Sequence, residues 1–152
     1  MSIIMKLACA LLLCLIMLFV LVACGGNSGN SERAGNETIT YKLEITGFIY
    51  EGKDISEALF ADFLDSVSPD DWEFMILSAS APIKGSSFIQ VGSPEGDSYN
   101  RMVVEIGFPR SKGVELFRYY SDDTEEILQM FKDYYMKQVL PSNYEKWERE
   151  LL

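Results

Sequence analysis

The run Arg101-Met102-Val103-Val104-Glu105-Ile106-Gly107-Phe108 decides the fold. Met102, Val104, Ile106 and Phe108 recur at every second position, and Arg101, Val103 and Glu105 take the other parity. Successive side chains of an extended chain point to opposite faces, so this period predicts a strand with one face on a core. Working outward, Pro109–Gly113 reads as a turn and Val114–Tyr120 as the next strand. In the other direction, Ser93-Pro94-Glu95-Gly96-Asp97 reads as a hairpin loop and Phe88–Val91 as a short strand after a Lys84-Gly85-Ser86 turn. Trp72–Ala79 is apolar on both parities, as a central strand covered on both faces requires. Three tight turns in succession predict an antiparallel meander.

The flanks supply the second layer. Thr38–Tyr50 alternates, with Tyr41, Leu43, Ile45 and Ile49 on one parity, and reads as one strand bent at Gly47. Asp54 or Ser56 can cap a helix whose stripe is Ile55, Leu59, Phe63 and Val67, stopped by Ser68-Pro69. Ser121-Asp122-Asp123-Thr124-Glu125-Glu126 caps a second helix, its acids suited to the positive end of the helix dipole. Ile127, Met130, Phe131, Tyr134 and Val139 form its stripe, and Pro141 ends it. The tail 143–152 is expected to form a short helix carrying Trp147. The order strand, helix, four strands, helix predicts an α+β, two-layer domain: a mainly antiparallel sheet of about five strands with two helices on one face.

That arrangement leaves the other sheet face as the candidate functional surface. Phe117 and Tyr119 lie on the opposite parity from Val114, Leu116 and Tyr120, so they are expected to share that face with Val103, flanked by Arg101 and Glu105. Aromatics beside arginine are the usual anchors of protein interfaces. Arg101, Val103, Glu105, Phe117 and Tyr119 are therefore the candidate partner-binding residues.

The start of the chain carries an address. Lys6 precedes an uncharged stretch, Leu7–Ala23, of 17 residues, shorter than the ~20 residues of a membrane span and suited to a signal-peptide core. It ends in Leu21-Val22-Ala23-Cys24, which resembles the lipobox of bacterial lipoproteins. The resemblance covers about residues 1–27. It implies cleavage before Cys24, whose thiol carries a diacylglyceryl group, and so a domain held at the membrane outside the cytoplasm. Residues 1–23 are then a signal peptide, 24–37 the lipidated cysteine and a tether, and 38–152 one domain. The tether, Gly25–Glu37, has no aliphatic side chain larger than alanine and cannot offset its own ordering entropy. Thirteen Gly-rich residues reach ~20 Å.

Residue types narrow the chemistry. The chain has no histidine, and Cys9 and Cys14 lie within the leader. A mature domain of this sequence has no nucleophile paired with an imidazole base and no Cys/His zinc set. No glycine spacing matches a phosphate cradle, and no cofactor is expected. The acidic groups Asp62, Asp65, Asp70, Asp71 and Glu73, and Asp122, Asp123, Glu125 and Glu126, lack a calcium-loop pattern and read as caps and solvated surface. The formal charge is −10, with no Lys/Arg run to offset it, so nucleic acid and anionic bilayers are repelled.

A non-catalytic domain, lipid-anchored through Cys24 and engaging a protein partner, fits these features. In build, acidity and size it resembles small immunity proteins, which cover a toxin's active site; no motif carries family residues over. The alternatives are a cell-envelope enzyme using paired carboxylates on glycans, which needs two acids facing across a cleft, and a solute-binding or envelope-assembly accessory protein.

Overall fold

A computed structural model describes residues 38–67, 72–93 and 101–152, and Thr38–Leu152 form one compact unit. The leader, Cys24, the tether, Ser68-Pro69 and most of the Ser93–Asp97 loop lie outside the described residues. The domain is α+β. Its strands are β1 (Tyr41–Ile45), β2 (Phe48–Glu51), β3 (Phe74–Ile83), β4 (Ser86–Gly92), β5 (Met102–Arg110), β6 (Gly113–Ser121) and β7 (Glu148–Leu151). Its helices are α1 (Glu57–Ser66) and α2 (Thr124–Lys132). The strands form one antiparallel sheet in the order β2-β1-β3-β4-β5-β6-β7.

Seven strands replace the expected five, and both additions have local causes. The first alternating run is not one bent strand but a hairpin. Thr46 and Gly47 both adopt positive φ (44° and 90°), and Ile45 pairs with Phe48 across them. Two consecutive residues at positive φ make the tight turn whose twist matches a hairpin. Lys84 and Gly85 repeat it between β3 and β4, at φ 48° and 94°. The second addition is β7: the tail makes only a short 3-10 turn, Tyr144–Lys146, before pairing with β6. The expected helix there is corrected to a strand, because the tail's backbone groups find partners along β6.

Both helices pack on the same sheet face. Leu43, Met75, Leu77, Ile89, Val91, Val104 and Ile106 share one core cluster with Phe60, Phe63 and Leu64 of α1 and Ile127 and Phe131 of α2. The stripe of α1 turns towards Phe60 and Leu64, and Ala58 is exposed. Ser56 occupies the N-cap position of α1 without a side-chain cap bond. At α2 the carboxylate of Asp123 accepts from Glu126 N at 2.9 Å, satisfying one of the free N–H groups of the first turn. The helix continues as a π-turn, Asp133–Lys137, and stops at Gln138, whose φ is 55°. Tyr134 in that turn is fully buried, while Val139, expected in the stripe, is exposed and Leu140 is buried instead. Burial pushes the Tyr134 phenol up to about 12, although the Ser86 hydroxyl beside it pulls the other way.

Candidate functional site

The turn between β5 and β6 sets what each face carries. Arg110 pairs with Gly113, so the loop is only Ser111-Lys112. Odd-numbered residues of β5 therefore face the same side as even-numbered residues of β6. Val103 pairs with Tyr120 and Glu105 with Arg118 on the face away from the helices, and Arg101 places its guanidinium 5.9 Å from the centre of the Tyr120 ring. Phe117 pairs with Ile106 and Tyr119 with Val104, on the helix side. The structure thus brings Arg101, Val103 and Glu105 together and puts Phe117 and Tyr119 on the opposite face. The five do not form one surface. The physical reason is the two-residue turn, which inverts the parity that an apolar reading of Val114 and Leu116 suggests.

Phe117 and Tyr119 are occupied by the tail. Phe117 packs edge-on against Phe108 and Tyr144, with ring centres 5.3 Å apart in each pair. Tyr119 stacks on Trp147 at 5.1 Å and donates its hydroxyl to Glu126 at 3.2 Å. Burial and that carboxylate both raise the Tyr119 phenol above its ordinary value. These aromatics fasten the end of the chain to the sheet.

Glu105 is buried at the centre of a polar chain across four strands. Gln90 of β4 and Arg118 of β6 both donate to its carboxylate, Arg118 Nε at 2.6 Å, and Arg118 also reaches Glu150 of β7 at 3.1 Å. A carboxylate so buried must be paired to stay charged, and here each oxygen has a donor. Burial alone would lower the affinity of Arg118 for its proton, but Glu105 more than reverses this and holds the guanidinium charged.

A second buried carboxylate lies at the far end of β5–β7. Only 4% of the Glu115 side chain is exposed. Arg110 Nε donates to its Oε2 at 2.8 Å, Arg110 Nη2 closes on the same oxygen, and Arg149 Nε binds Oε1. The Arg110 hydrogen bond is the main cause that holds the Glu115 carboxyl below the usual range; desolvation opposes it and Arg149 reinforces it. Arg110, Ser111, Lys112, Glu115, Arg149 and Leu151 line an open hollow of about 600 Å³. Sequence reasoning missed this group because Arg149 lies far along the chain from Arg110 and Lys112. Arg110 and Lys112 flanking Ser111 were the one local signal, and β7 brings Arg149 to them.

The two sheet edges differ. β7 presents Glu148, Arg149 and Glu150 followed by an exposed Leu151, whereas β2 presents Phe48 and Ile49, 71% and 57% exposed, followed by Tyr50 and an exposed Glu51. Charged side chains guard a sheet edge against pairing; apolar ones do not. Among the described residues no group of three or more acidic or cysteine side chains is placed to hold a metal ion. No family model, curated protein or solved structure matches the chain.

Proposed function

We propose that this chain is a lipid-anchored binding domain displayed outside the cytoplasm, fastened through Cys24 and tethered by residues 25–37. Its role is to engage a protein partner rather than to catalyse. The observation that carries the reading is the β2 edge. It is the terminal strand of the sheet among the described residues, with Phe48 and Ile49 exposed. Such an edge accepts an extended segment: backbone hydrogen bonds supply affinity, and alternate side chains supply selectivity. The charge of −10 steers the domain towards a basic partner. A glycan-cleaving site needs two carboxyl groups across a cleft, and the hollow at the β5–β6 turn holds one, Glu115, already engaged by two arginines.

Affinity capture with full-length protein from its own membranes tests this. Recovery of a partner is expected, and Ile49→Lys, which places a charge on the edge, is expected to reduce it at least tenfold, equivalent to about 1.4 kcal/mol. Equal recovery by the variant removes β2 from the interface.

A further inference from the structure

The hollow beside the β5–β6 turn combines three features not needed for a structural clamp. First, Arg110 and Arg149 are held by one buried carboxylate yet remain 52% and 70% exposed. Each uses one part of its guanidinium on Glu115: Arg110 its Nε and Nη2, Arg149 its Nε. A guanidinium offers five N–H donors, so both retain free ones. Glu115 thereby fixes the direction of two otherwise mobile cations, the preorganisation that oxyanion recognition requires. Second, Lys112 sits in the two-residue turn on the same hollow and has no ion-pair partner among the described residues. Third, the lining carries three cations against one carboxylate, two surplus positive charges in a chain whose sum is −10.

We infer that this hollow binds a small phosphomonoester. A phosphomonoester bears about −1.5 to −2 at neutral pH and three acceptor oxygens, matching the two surplus charges and the fork of donors. The negative field of the rest of the domain turns away polyanions, which restricts the ligand to one carrying a single phosphate. A soluble metabolite and a lipid headgroup both offer that group. The site does not depend on the lipid anchor or on the β2 edge.

Calorimetric titration of the full-length protein in neutral detergent tests it, with inorganic phosphate and short-chain phosphatidic acid as probes and acetate as control. Saturable binding of phosphate is expected, weakened about tenfold by Lys112→Gln, the loss of one charge-assisted bond. Lys112 pairs with no described carboxylate, so this variant keeps the melting temperature of the parent. Equal affinity for both probes assigns a soluble ligand, and tighter binding of phosphatidic acid assigns a headgroup. The absence of saturable binding at millimolar phosphate, an unchanged affinity in Lys112→Gln, or acetate binding as tightly as phosphate overturns the inference.

Discussion

Glu115 couples the hairpin end to β7, and its acid–base behaviour makes that coupling measurable. Its carboxyl is held below the ordinary value by Arg110 first and Arg149 second. A depressed carboxyl contributes stability that is present above the unfolded pKa of ~4.3 and is lost as pH falls through the folded value. Thermal melts on acidification from neutral pH are expected to show a loss of stability below about pH 4. Glu115→Gln is expected to flatten that loss, because the amide has no charge to surrender. An unchanged acid limb in the variant would assign the loss to other carboxylates, such as Asp133, which Lys137 holds low at 2.7 Å. The same side chain shows what one sequence conceals. Nothing local to Glu115 marks it as buried, since its two partners come from the preceding strand and from a tail read as helix.

At the scale of elements, β5 is the part whose local pattern agreed with its structure. Met102, Val104, Ile106 and Phe108 all enter the core, as their period requires. Gly107 adds a feature that the period does not carry. A Cβ at this position would lie 2.1 Å from the Phe88 ring, its cross-strand partner on β4. The missing side chain makes room for the ring. Gly107→Ala is expected to cost about 1–3 kcal/mol by overpacking, read as a shift in urea midpoint at constant slope. A neutral substitution would mean that Phe88 moves aside freely. Along β6 the pattern misled, because both parities are apolar and the register rests on the length of one turn. The strands run on through Pro109 and Arg110, leaving two loop residues rather than five. The Thr46-Gly47 turn was legible only as a bend, and β7 was not legible at all. Its four residues, Glu148–Leu151, are held by pairing to β6, with Trp147 stacked on Tyr119 just before them, rather than by any periodicity of their own.

For the whole molecule, fold class followed from hairpin signals and two amphipathic stretches, whereas the candidate sites did not. The sites depend on which side chains a register places together. Arg149 is remote in sequence from Arg110 and Lys112 but lines the same hollow, so a chain with no basic run still has a basic hollow. The Phe48–Ile49 edge became apparent only once the first strand proved to be two. Above these surfaces stands the proposed anchor, since the display outside the cytoplasm that it implies would determine which partners the domain can meet. Leu21-Val22-Ala23-Cys24 is the sequence on which that display rests. Intact mass and N-terminal peptide mapping of the protein purified from membranes test it most directly. A mature chain beginning at Cys24 with a diacylglyceryl thioether is predicted, and it should vanish in Cys24→Ala. A membrane-bound chain that still begins at Met1 and carries no lipid would contradict the account.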